Sequence, residues 1–214
     1  MGNLLVEIFK DQMLIQKIQK KLPYLFKIAE IEVSKGGRVG MEVGTLREKM
    51  IIALLMYKFG IERVQEVPIT QHETDVIIVG HQNPISIKTK TNTSFRSVKL
   101  IWTVDWSKVE YFYENYEPKT DIILITIKWC SEGMFCYIPK DNQIEVFNSL
   151  GRDKYINKPR KGTNPRGIEI NPNALKICVD KSIQMGYYIS VNWFIPHDLE
   201  YNPYIKWIEL WKKK

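Results

Sequence analysis

The chain has 214 residues, 44% of them hydrophobic, with a net charge of +7 and a pI of about 9.1. That is enough apolar material for a full core, so one elaborated domain spanning residues 1–214 is expected, and the basic balance favours a polyanionic partner. Cys130, Cys136 and Cys178 are odd in number and lack Cys-x-x-Cys spacing, which argues against a disulfide framework or structural zinc. No apolar run approaches the ~20 residues of a membrane span. A cytoplasmic protein without membrane attachment is expected.

Residues 4–32 read as helical, with Leu, Ile and Phe recurring at three and four beneath Lys17, Lys20 and Lys21. Lys35-Gly-Gly-Arg-Val-Gly40 reads as a basic, flexible loop. A helix from about Thr45 to Phe59 follows, with Gly60 as its C-terminal cap. Strands are expected near 63–70, 74–79 and 84–91, an extended stretch over 97–104, an aromatic helix over Asp105–Tyr116 and an apolar strand over Asp121–Trp129. Strands at 134–138 and 186–194 then alternate with helices at about 140–150 and 172–183. The closing Tyr204–Trp211 is amphipathic and expected to pack on the core or on a second subunit. A helix, three strands, a connection and a further strand predict an α/β fold with a central mixed sheet flanked by helices.

The most informative segment is Asp75-Val-Ile-Ile-Val-Gly-His-Gln-Asn-Pro-Ile-Ser-Ile-Lys88, two β-branched runs around a turn. Side chains alternate along a strand, so Ser86, Lys88 and Lys90 oppose Ile85 and Ile87. The hairpin thus sets a carboxylate and a lysine on neighbouring strands, a pairing suited to metal-assisted phosphodiester cleavage. Glu48 admits two readings. Thr45-Leu-Arg-Glu48 fits a capping box, while spacings of four, seven and eleven to Ile52, Leu55 and Phe59 place Glu48 at the rim of a buried stripe, where it needs a cation.

Glu48 on a helix, Asp75 opening a second strand and Ser86-Ile-Lys88 on a third resemble the αβββαβ core of the PD-(D/E)XK nucleases, over roughly residues 44–129. Ile85-Ser-Ile-Lys-Thr89 and Val98-Lys-Leu-Ile-Trp-Thr-Val-Asp105 look like segments of type II restriction endonucleases. Two positions depart from the pattern: Thr74 replaces the proline, and Ser86 replaces the second acid, a deficit that Glu48 is placed to fill. The resemblance implies a Mg²⁺ ion bound by Asp75, Glu48 and the carbonyl of Ile87. It implies that Lys88 orients the attacking water and stabilises the transition state, and that Ser86 holds a metal-bound water. Glu73 is the alternative acid if its strand begins early enough. The implied activity is sequence-specific cleavage of double-stranded DNA at a short palindrome by a homodimer, leaving 5′-phosphate and 3′-hydroxyl ends. The alternatives are a junction-resolving or repair nuclease of the same fold, or a DNA-binding module that has lost catalysis.

DNA contact is expected from Arg152, Lys154, Lys158, Arg160, Lys161 and Arg166, in a stretch broken by Pro159, Gly162 and Pro165. Lys35, Arg38 and Met41 before the catalytic helix, and Lys90, Thr91 and Asn92 with Thr89, Thr93 and Ser94 beside Lys88, are further candidates. His72, His81 and His197 have no zinc-site spacing, and His72 and His81 are expected at turns or phosphates. Without a phosphate-binding glycine loop or a nucleophile elbow, no organic cofactor is expected.

Overall fold

The computed structural model describes the chain except for residues 1, 41, 69–70, 72, 92–97, 198 and 214. Its elements are α1 (Val6–Lys10), α2 (Gln12–Glu32), β1 (Ser34–Lys35), β2 (Arg38–Val39), α3 (Val43–Phe59), a 3-10 turn at Ile61–Arg63, β3 (Val64–Glu66), β4 (Val76–Ile78), β5 (Ile85–Thr91), β6 (Val98–Ile101), α4 (Trp106–Asn115), β7 (Asp121–Ile127), β8 (Glu132–Ile138), α5 (Lys140–Leu150), α6 (Arg152–Tyr155), β9 (Ile156–Asn157), β10 (Ile168–Ile170), α7 (Pro172–Gln184), β11 (Tyr188–Asn192) and α8 (Ile205–Lys212).

Six strands form a mixed central sheet in the order β11-β8-β7-β5-β4-β3, with β5 and β7 parallel and the other pairs antiparallel. The crossover needed between parallel strands carries β6 and α4. β7 is Asp-Ile-Ile-Leu-Ile-Thr-Ile, buried at every position, because helices cover both faces of the sheet. Alternation sends Ile123, Ile125 and Ile127 into a core with Leu14, Ile18, Leu22 and Phe26 of α2 and Ile51, Ile52 and Leu55 of α3. Ile122 and Leu124 enter a second core with Val109, Val146, Leu175 and Val179 on the opposite face. Each buried leucine or isoleucine contributes about 1.5–3 kcal/mol of hydrophobic stabilisation. Among the described residues no helix is long and apolar enough to cross a membrane.

Several expectations are corrected. The helix expected over 4–32 breaks at Asp11, whose carboxylate accepts from Leu14 N–H at 3.0 Å and so caps α2. Lys35–Gly40 is not an open loop: Gly36 and Gly37, at φ 59° and 77°, close a tight hairpin between β1 and β2, the positive φ that a two-residue turn of this hand demands. α3 begins at Val43 rather than Thr45, so Thr45 lies inside the helix and the capping box does not form, whereas Gly60 does end it, its N–H bonding Met56 O. The stretch expected to be extended over 97–104 does form a strand, β6, which pairs with β10 in a second sheet, β6-β10-β9. Every residue of α8 is exposed, Trp211 by 88%, so its apolar stripe does not pack on the core.

Candidate active site

β4 and β5 bring the ends of the informative hairpin together: Val76 pairs with Ile85, and Asp75 N–H donates to Ile85 O at 2.9 Å. Asp75 therefore stands just before β4, beside the second and third residues of β5. Its Oδ2 accepts from the Ile87 N–H at 2.5 Å and from the Ser86 hydroxyl at 3.1 Å. Lys88 Nζ lies 3.8 Å from the same oxygen, and both side chains are about a fifth exposed. The hairpin thus joins Asp75 with the side chains of Ser86 and Lys88, which the alternation set on one face, and with the backbone of Ile87 between them.

Glu48 reaches this group from α3. Ile52, Leu55 and Phe59 are buried on its stripe, and Glu48 itself is half-buried at the rim. Burial pushes its carboxyl up to about 7, and the negative charges of Asp75 and then Glu66 push the same way while Lys88 opposes them. Two acids facing one another across a partly dry cleft are short of a cation. The cleft encloses about 550 Å³ between Thr45 and Glu48 of α3, Glu66 at the end of β3, the Glu73–Asp75 segment and Leu100–Trp102. Glu73 does not start a strand. It adopts φ 67° in the connection before β4, where burial raises it to about 7 against the pull of Lys119 and Lys88. Such a backbone is costly for a non-glycine residue and clusters at functional sites.

Arg47, the neighbour of Glu48, holds α3 in place. Its guanidinium is 2.7 Å from Glu30 Oε1 of α2, donates to Thr91 Oγ1 of β5 at 3.1 Å and lies 5.5 Å over the Phe26 ring. Trp129 Nε1 donates to the same Glu30 oxygen at 2.7 Å. One buried arginine therefore ties α2, α3 and the end of β5 together, fixing Glu48 relative to Lys88. The sequence reading missed Arg47 and Glu66. Arg47 lies within the Thr45–Glu48 segment that fits a capping box, and Glu66 falls inside the strand expected over 63–70, where nothing in the residue pattern marks either of them.

The remaining candidates are dispersed. Lys35 and Arg38 are exposed on the β1–β2 hairpin preceding α3, and Lys90 is half-buried on β5. Thr91 is engaged by Arg47, while Met41, His72, Asn92, Thr93 and Ser94 fall outside the described residues. Arg152 donates to the Tyr113 carbonyl at 3.0 Å and lies against Phe147, and Lys158 pairs with Glu110 at 2.9 Å over the Tyr113 ring, so both are engaged within the fold. Lys154, Arg160, Lys161 and Arg166 are exposed. His81 lies in the expected turn between β4 and β5, its N–H bonding Ile78 O at 2.9 Å, but its ring is buried rather than turned to a phosphate, with Nε2 2.8 Å from Asp121 Oδ2 and Nδ1 accepting from Leu4 N–H at 3.1 Å.

With this geometry in view, the comparisons with known proteins are specific. A solved structure described as a restriction endonuclease in complex with substrate DNA is 45% identical and superposes with a TM-score of 0.86, covering 97% of this chain and 98% of its own. A comparison with curated proteins gave no match. The family model for the restriction endonuclease ThaI matches residues 8–213, from within α1 to the end of α8. That span takes in both acids, the lysine and the whole sheet that positions them, and the chain belongs to the ThaI restriction endonuclease family, the type II enzymes that cut DNA at specific sequences.

Proposed function

We propose that Asp75, Glu48 and Lys88 form a Mg²⁺-dependent centre that hydrolyses phosphodiester bonds of double-stranded DNA, and that the chain works as a homodimer on a short palindrome. Residues 1–214 would serve as one nuclease domain, in the cytoplasm, leaving 5′-phosphate and 3′-hydroxyl ends. The observation that carries this reading is the convergence on one cleft of an aligned aspartate, a lysine 3.8 Å from it and a glutamate unsettled by that aspartate's charge.

Membership of a restriction endonuclease family brings a divalent metal with it. Among the described residues no three Asp, Glu, His or Cys side chains gather to hold a metal, which fits a hard cation that takes one or two carboxylates and keeps its waters. Asp75 and Glu48 would hold it, helped by the Ile87 carbonyl, which strand geometry turns to the same edge as the Ile87 N–H bonded to Asp75. When bound, the metal polarises the phosphate and acidifies a water.

The chain's own groups do the rest. Ile87 N–H and the Ser86 hydroxyl pin Asp75 Oδ2 and so set the direction of Oδ1. Ser86 adds no charge, so the second carboxylate comes from Glu48. Lys88 is too far from Asp75 for a tight hydrogen bond, which keeps its ammonium protons available to orient water and to meet the negative charge that builds on the phosphate. Water adds to phosphorus, the P–O3′ bond breaks, and the phosphate stays on the 5′ end. A duplex has two strands, so two copies related by a twofold axis cut both.

Plasmid DNA incubated with the protein and Mg²⁺ should yield discrete fragments with kinase-resistant 5′ ends until phosphatase treatment. Asp75→Asn should stop cutting while a gel shift persists. A smear, a preference for branched DNA, or no cleavage with any divalent metal would overturn the reading.

A further inference from the structure

The cleft continues past Asp75. Its wall at the end of β6 includes Ile101 and Trp102, and these same residues line a second cavity of about 540 Å³ between β6 and α4. Trp102 is 64% exposed there and Tyr111 of α4 is 71% exposed, so neither ring serves the core. Lys108 lies on the same groove. Glu110, the acid nearest in sequence to Lys108 and Tyr111, is paired with Lys158 at 2.9 Å, and Asp105 caps α4, accepting from Ser107 N–H at 2.8 Å.

The basic loop that includes Arg160, Lys161 and Arg166 is built onto this groove. Trp106 Nε1 donates to Thr163 O at 3.2 Å, pinning the loop to α4. Gly167 brings its other end against β6: a Cβ there would lie 2.1 Å from Ile101 O and 3.0 Å from Trp102 Cα. With φ at 95° the position is reserved for glycine, and Arg166 is thereby held beside Trp102. Two exposed aromatic rings and a run of cations, continuous with a phosphodiester-cutting cleft, match the sugar–phosphate strand that leaves it.

We propose that the groove of Trp102, Tyr111 and Lys108, rimmed by Arg166, is a second DNA contact that seats the strand flanking the cleaved bond. The rings pack against the sugars of the flanking strand, and the cations meet phosphates. This rests on the DNA-cutting reading, and the two fail differently. Two duplexes carry the cut site mapped from a plasmid digest, one with a full helical turn of flanking DNA and one with flanks trimmed to a couple of base pairs.

Wild type should bind the flanked duplex about ten-fold more tightly. Tyr111→Ala should erase most of that preference, and Tyr111→Phe should keep it. Lys108→Ala should reduce the slope of log affinity against log salt by about one on the flanked duplex alone. A wild type indifferent to flank length, or a preference that survives Tyr111→Ala, overturns the groove while leaving the endonuclease standing. A plasmid left uncut overturns both.

Discussion

Two acid clusters flank the first residues of β5, and they are built from similar parts. On one side Asp121 N–H bonds Pro84 O, and on the other Asp75 N–H bonds Ile85 O. Asp121 receives the Lys140 N–H at 2.7 Å, His81 at 2.8 Å, the Tyr137 hydroxyl at 3.0 Å and Asn83 at 3.3 Å, and both Asp121 and His81 are sealed from solvent. Because Leu4 N–H points at Nδ1, the His81 ring proton sits on Nε2 and completes the set. Asp75 also has a hydroxyl, an amide and a basic side chain, but it opens on a cleft and faces Glu48. A buried acid with every lone pair answered is a structural joint. An acid left partly wet beside a second acid retains capacity for a cation and a phosphate. Residue type does not separate these roles; satisfaction does.

The largest effect that would test this contrast is on the sealed side. Asp121→Ala leaves His81, Tyr137, Asn83 and the Lys140 N–H without their acceptor and should lower stability by several kcal/mol in denaturant unfolding, at about 1–3 kcal/mol for each buried donor left unsatisfied. Cleavage per folded molecule should be unchanged, and a rate defect without a stability defect would break the contrast. Next, Lys88→Ala should slow single-turnover cleavage roughly 10²–10³-fold, the effect of removing one transition-state donor. Its melting temperature should barely move, because the side chain is partly solvated and its partner keeps two other donors.

Glu48 sharpens the contrast through pH. Folded, it ionises near 7; unfolded, near its ordinary value of 4.5. The folded chain therefore holds this proton longer, so in metal-free buffer Glu48 lowers stability progressively as pH rises from about 4.5 to about 7, and the loss then levels off. Thermal melts of Glu48→Gln should show a shallower decline over that window than wild type, with the part due to Glu73 remaining. An unchanged slope would mean that Glu48 is neither buried at the cleft nor set against Asp75. The smallest effect belongs to Ser86→Ala, which removes one of Asp75's donors and should slow cleavage several-fold, matching a hydrogen bond of about 0.5–1.5 kcal/mol.

Much of this molecule is local and therefore readable from its residues. Runs rich in β-branched residues place β4, β5 and β7, Gly60 ends α3, and the period of α3 puts Glu48 on the stripe of Ile52, Leu55 and Phe59. The pairing of Asp75 with Lys88 followed from a short hairpin whose register its own turn constrains. That Arg47 is a buried strut, that Glu66 adds its charge to the cleft, and that His81 answers Asp121 across 40 positions required the folded chain. So did the pairing of β6 with β10, which leaves Trp102 exposed at the edge of the candidate active-site cleft. The division has one physical cause. Period and turn chemistry act over a few residues and fix which face an element offers, whereas the partner that meets that face depends on how several buried surfaces are covered at once.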